Sequence, residues 1–187
     1  MVDIIHRIGI KAPVAKVVEA VSTVAGVAGW WTKGTTGTSG PGGAMTARFT
    51  DPAGKEIGKM NFDLTKVDPN TTVHWRFTDG PAEWIGTDVT FDVSRQGEYT
   101  ILVFGHRNWR EAVEFTAHCS MKWATFLLSL RALAETGTGQ PSPDDLKIET
   151  GTSNLSRARQ DWTSTWSATT SLAARAIRPA TAFGCET

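Results

Sequence analysis

The sequence predicts an α+β domain in which a curved antiparallel sheet of about six strands, with two short helices after the first, wraps around one long helix. Three observations predict it. Apolar and polar residues alternate in six short segments, the period of a strand with one buried face. Turn residues separate the last five of these closely enough for hairpin connections. One later segment, from Glu111 to Glu135, instead repeats its apolar residues at helical spacing, and it is long enough to cover the apolar face of such a sheet.

Ile4, His6, Ile8 and Ile10 alternate with Ile5, Arg7, Gly9 and Lys11, which makes the first strand. Pro13 suits a first helical position, and Val14, Val17, Val18 and Val21 follow at helical spacing, so residues 13–22 read as a short helix. Thr23 caps a second, running through Val24, Val27 and Ala28 to Trp30 and Trp31. The segment Thr35 to Gly43 breaks all regularity and reads as a loop over the rim of the space between helix and sheet.

Five strands follow: Ala44–Thr50, Ile57–Val67, Thr72–Thr78, Trp84–Ser94 and Tyr99–Arg107. Turn signals at Asp51-Pro52-Ala53-Gly54, Asp68-Pro69-Asn70, Asp79-Gly80-Pro81 and Gln96-Gly97 separate them and imply an antiparallel meander. One parity of each strand is apolar, as in Met60, Phe62 and Leu64, in Val73, Trp75 and Phe77, and in Ile85, Val89, Phe91 and Val93. The other parity carries Arg48, Lys59, Asp63, His74, Arg76, Asp88 and Asp92, so one face is wet and the other needs a cover. The cover is the long helix, with Phe115, Cys119, Trp123, Phe126, Leu127, Leu130 and Leu133 on one stripe and Lys122, Ser129 and Arg131 largely off it. Gly137 and Gly139 cap it, and Pro141 and Pro143 forbid continuation.

Composition excludes several function classes. With 19 basic and 19 acidic residues there is no overall field to attract nucleic acid or an anionic membrane. The two cysteines, Cys119 and Cys185, lack metal-ligand spacing and read as free thiols of a reducing compartment. The N-terminal residues carry no secretory pattern and no apolar run is long enough to span a bilayer, so the expected location is cytoplasmic. Eight tryptophans stand against one tyrosine. Each is large and carries an N–H that needs a partner, so the chain builds either a thick core or the lining of a cavity.

With strand, two short helices, five-stranded meander and long helix in that order, the chain resembles the START-like (SRPBCC, helix-grip) superfamily. Within it, the likeness is to the branch of polyketide cyclases and activators of heat-shock-protein ATPase. The residues that carry it include Ile10-Lys11-Ala12-Pro13, Gly29-Trp30-Trp31-Thr32, Val73-His74-Trp75-Arg76, Asp79-Gly80-Pro81-Ala82-Glu83-Trp84-Ile85-Gly86-Thr87, His106, Trp109, Trp123 and Glu135-Thr136-Gly137. They span residues 3 to about 148, and residues 1–148 are therefore read as one START-like domain. The resemblance implies a cavity between long helix and sheet, used by different members for transport, cyclisation, dehydration or chaperone contact, so it does not decide a reaction.

The candidate ligand-binding residues are Trp30, Trp31, Phe62, Trp75, Phe91, Phe104, His106, Trp123 and Phe126: the inward aromatic parity, the helix stripe, and two tryptophans near the mouth. An aromatic stripe is also what fills an ordinary core. His106 sits on the inward parity of the last strand, where an imidazole serves either as general acid or base or as a hydrogen-bonded structural residue; it is not read as catalytic. His6 invites the structural reading too. His118 adjoins Cys119, but neighbours on a helix point about 100° apart, so no metal site is expected. No nucleophile elbow or phosphate loop occurs, and no cofactor is expected.

Residues 149–187 read as a Ser/Thr/Arg-rich extension, partly helical, in which Leu155, Trp162, Trp166, Ala173 and Ile177 approximate a stripe. The function expected is binding of a small apolar or aromatic molecule between long helix and sheet; the alternatives are a cyclase or dehydratase working through His106 and a protein-interaction role, with a homodimer or another protein as a further partner. A continuous cavity with converging polar groups favours the first two, a filled core the third, and only a buried proton-transfer pair separates enzyme from binder.

Overall fold

In the computed structural model, which describes residues 1–148, the chain order is β1 (Val2–Ile10), α1 (Val14–Ser22), α2 (Val24–Trp30), β2 (Gly34–Gly37), β3 (Ala44–Thr50), β4 (Glu56–Asp68), β5 (Thr72–Asp79), β6 (Asp88–Gln96), β7 (Tyr99–Trp109) and α3 (Glu114–Thr136). The strands form one antiparallel sheet in the order β1-β7-β6-β5-β4-β3-β2, and α3 lies against its concave face beside α1 and α2. The α+β helix-grip architecture is as the alternation requires, with seven strands. The extension at 149–187, with Trp162, Trp166 and Cys185, lies outside the described residues. No helix among the described residues is long and apolar enough to cross a membrane.

Three local departures have physical causes. Gly34–Gly37 is a strand, because Thr35 and Thr36 pair across to Ala47 and Thr46 and the ladder of an already formed β3 overrides weak glycine propensity. The loop beyond it is tied down: Gly40 N–H donates to Ser22 O (3.0 Å), Gly42 N–H to Leu64 O (3.0 Å) and Val24 N–H to Ser39 Oγ (2.9 Å). Trp84 to Thr87 is a turn and not the start of a strand, since both Trp84 and Ile85 N–H groups donate to Pro81 O and Gly86 takes φ 81°. Ile85 therefore points outward, 47% exposed.

On α3, Thr116 Oγ1 accepts the N-cap Val113 N–H (3.2 Å), and Gly137 ends the helix at φ 83° with its N–H on Leu133 O (2.8 Å). Ser129 is buried despite its polarity: its hydroxyl donates to Trp30 O (2.9 Å) and accepts Gln140 N–H (2.7 Å), stitching α2 to α3. Gly29 allows that approach, because a Cβ there would lie 2.9 Å from a Leu133 methyl.

The last turn of α1 solves two problems together. A helix leaves four carbonyls without partners at its end. Here Glu19 O takes Thr23 N–H, Ser22 O takes Gly40 N–H, Ala20 O takes the Trp30 indole N–H (2.9 Å) and Val21 O takes the Trp75 indole N–H (2.9 Å). The helix end thereby supplies the acceptors that two wholly buried tryptophans need.

Candidate functional site

Around Trp30 and Trp75 the inward side chains stack into a continuous aromatic body. Phe62 and Trp75 lie 4.4 Å apart between ring centroids, Trp75 and Phe91 4.7 Å, Phe104 and Trp123 4.7 Å, and Trp31 and Trp123 5.3 Å. These are the separations at which offset and edge-to-face aromatic pairs attract. Of the nine candidate residues, Trp30, Phe62, Trp75, Phe91, Phe104 and His106 are buried in this body. The remaining three, Trp31, Trp123 and Phe126, line a cavity of about 20 Å³ together with Phe49, Met60, Trp84, His118, Cys119 and Lys122.

The cavity sits between the N-terminal half of α3, the β3–β4 hairpin and the turn before β6. Phe49, Met60 and Cys119 carried a sequence signal, the inward parity of their strands and the helix stripe. Trp84 carried only the resemblance, because the alternation set it at the start of a strand on the parity opposite Ile85, whereas it lies in a turn, which has no parity. Its indole N–H is buried without an oxygen or nitrogen acceptor and is turned towards the Cys119 thiol, a weak one. Burial pushes that thiol's pKa up, so it stays protonated and a poor nucleophile. At the rim, Lys122 Nζ is paired with Asp145 and donates to Leu146 O (3.0 Å) while lying 4.9 Å from the Phe126 ring centre. His118 beside it has its pKa lowered by burial and then by Lys122.

His106 is fully buried, and both its nitrogens are committed. The Trp123 indole donates to Nδ1 (3.1 Å), and since an indole nitrogen only donates, Nδ1 carries no proton. Nε2 lies 2.8 Å from Thr87 Oγ1, whose own proton goes to Trp84 O (2.6 Å), so Nε2–H donates to the threonine. Burial lowers the imidazole pKa to about 3, holding it neutral at physiological pH. A ring so placed braces the turn before β6 against α3. His6 is likewise structural: its Nε2–H donates to Ser120 O (3.1 Å). Among the described residues no three metal-ligating side chains converge.

No family model and no curated protein matches the chain. Solved structures do. The Aha1 dimer from Colwellia psychrerythraea is 39% identical over 74% of this chain and the whole of that one, with a TM-score of 0.64. This chain belongs to the Aha1 family of START-like proteins. DynU16, from the dynemicin biosynthetic locus, superposes at a TM-score of 0.59 and 21% identity over 73% of this chain and 48% of its own. CalU16 from Micromonospora echinospora does so at 0.56 and 18%, over 70% of this chain and 73% of its own. At those identities the last two share only the fold with this chain.

Proposed function

We propose that this chain is a START-like binding domain that acts through its surface, without covalent chemistry, as a protein-interaction domain of the Aha1 kind, and that it does so as a dimer like its Colwellia relative. The filled core carries the reading. Rings that would line a cavity in a ligand carrier are stacked on one another here, and the cavity bounded by Trp31, Trp123 and Phe126 measures about 20 Å³, room for about one water, where ligand pockets span about 300–1,000 Å³. The commitment of both His106 nitrogens and the buried, protonated Cys119 thiol argue in the same direction, since neither group is free to move a proton or attack. The test is ATP turnover by an Hsp90-class ATPase from the same source, measured with increasing amounts of the full chain. A saturable rise is expected. No rise and no binding, together with a small molecule retained by the freshly purified chain in native mass spectrometry, would reverse the conclusion.

One observation favours a second reading, the binding of a small apolar molecule. Trp84 lines the cavity with a buried N–H that has no oxygen or nitrogen acceptor, and a ligand whose entry widens the cavity supplies one through a carbonyl or ether oxygen while Trp31, Trp123 and Phe126 hold the apolar part. The other six aromatic and imidazole side chains form the second layer in that case. Retention of such a ligand by the parent chain and its loss in Trp84→Phe is the result this reading requires.

A further inference from the structure

α3 is apolar on two faces. The inner one packs on the sheet. The outer one presents Glu114, Ala117, Met121, Ala124, Leu128 and Arg131, and of these only Ala124 is half-buried; Met121 is 58% exposed and Leu128 48%. Their spacing of three, four, three, four and three residues is the seam of a helix that pairs with another helix. Exposed large apolar side chains elsewhere lack this order: Ile5 stands on the opposite, wet face of the sheet beside Arg7, and Tyr99 is covered by the Lys11 ammonium at 5.3 Å.

The sequence of the seam specifies its partner. A two-fold axis brings identical surfaces together, so each residue must complement its mate in the antiparallel copy. Placing the axis between residues 122 and 123 sets Ala117 opposite Leu128, Met121 opposite Ala124, and Glu114 opposite Arg131. Every apolar layer then joins one large and one small side chain, which fills space without a void or a clash. Each end closes with an ion pair. Within one chain Glu114 and Arg131 lie about 26 Å apart along the helix and cannot meet. Among the described residues neither has an ion-pair partner, whereas Lys122, on the flank, is already held by Asp145.

We infer that the outer face of α3 is a homodimer interface in which two copies of this helix pair antiparallel about an axis between residues 122 and 123. The inference rests on the dimeric reading proposed above and adds where the copies meet. Four apolar layers make a modest contact, at the lower end of stable interfaces, and a dissociation constant on the order of micromolar is expected.

Sedimentation equilibrium of the full-length chain tests it. The parent should be a reversible dimer, and Met121→Glu should weaken it by about tenfold or more, because a carboxylate is then buried against Ala124 of the other copy. Glu114→Arg and Arg131→Glu should each weaken it by setting like charges opposite one another, and the double exchange should restore parental affinity. These side chains are exposed in the single chain, so thermal unfolding of the dissociated variants should match that of diluted parent. A parent that stays monomeric overturns both the dimeric reading and the seam. A dimeric parent whose association is untouched by Met121→Glu, or whose double exchange fails to restore it, overturns the seam alone.

Discussion

At one end of the aromatic body Trp30 and Trp75 give their N–H groups to the last carbonyls of α1; at the other, Trp84 and Trp109 bury theirs with no oxygen or nitrogen acceptor. The first end lies where a helix terminates, and a helix end is rich in carbonyls that need donors. The second lies between a turn, the end of β7 and the side of α3. There only Trp123 finds a partner, and that partner is another side chain, His106. The satisfied indoles of the first end are those that reach the free carbonyls of a helix terminus, which Trp84 and Trp109 do not.

The comparison can be broken by substitution. Trp75→Ala removes a ring wedged between Phe62 and Phe91 as well as its bond to Val21 O, and should cost about 3–5 kcal/mol by urea denaturation. A cost below about 1 kcal/mol would place Trp75 outside the core.

The second expectation concerns acid. In the folded chain His106 resists protonation down to about pH 3, whereas an unfolded histidine titrates near 6.5. Between those values the unfolded chain binds the additional proton. The contribution is therefore fully present above about pH 6.5 and falls with decreasing pH by about 1.4 kcal/mol per unit, or about 3 kcal/mol by pH 4.5. His106→Gln keeps an acceptor for Trp123 and a donor for Thr87 but has no proton to bind, so its stability should decline more shallowly over this range. Parallel slopes for the two proteins would mean that His106 is not held neutral.

Two conservative exchanges sharpen the contrast. Trp30→Phe leaves the Ala20 carbonyl buried and unpaired and should cost about 1–3 kcal/mol. Trp84→Phe removes a donor with no oxygen or nitrogen acceptor and only the weak Cys119 thiol beside it, so the ring lost and the desolvation recovered should nearly cancel, leaving a change within about 1 kcal/mol. Equal costs at the two positions, read from denaturation midpoints, would show that indole satisfaction does not distinguish the two ends.

Much of the fold was legible because it rests on period. The inward parity of Met45, Phe62, Trp75, Phe91 and Phe104 and the stripe through Cys119, Trp123 and Leu130 needed only alternation, and all are buried. Where backbone hydrogen bonds decide, period misleads. Ile85 continues the apolar alternation of the strand after it, yet the Pro81 carbonyl draws residues 84–85 into a turn. Gly34–Gly37 is too short and too rich in glycine to read as a strand, and is one because β3 offers it an edge. Ser129 reads as a surface residue until α2 is seen to need its hydroxyl. The candidate site was legible as a set of aromatic side chains, but whether rings enclose space or fill it depends on rotamers and on turns such as that bearing Trp84, which sequence periodicity does not encode.

The tryptophans of the core have an optical consequence. Trp30, Trp31, Trp123 and Trp84 follow one another at 6.2, 5.3 and 5.6 Å between ring centres, with Trp75 joined to the series at 5.6 Å from Trp31. Chromophores this close share their electronic transitions, so near-ultraviolet circular dichroism belongs to the series and not to its members, and absorbed light migrates among rings before it is emitted. Dislodging a single ring alters the spectrum of its neighbours as well. The grip of sheet on helix is in this way written into the absorption of the whole core, a built-in gauge that needs no attached dye.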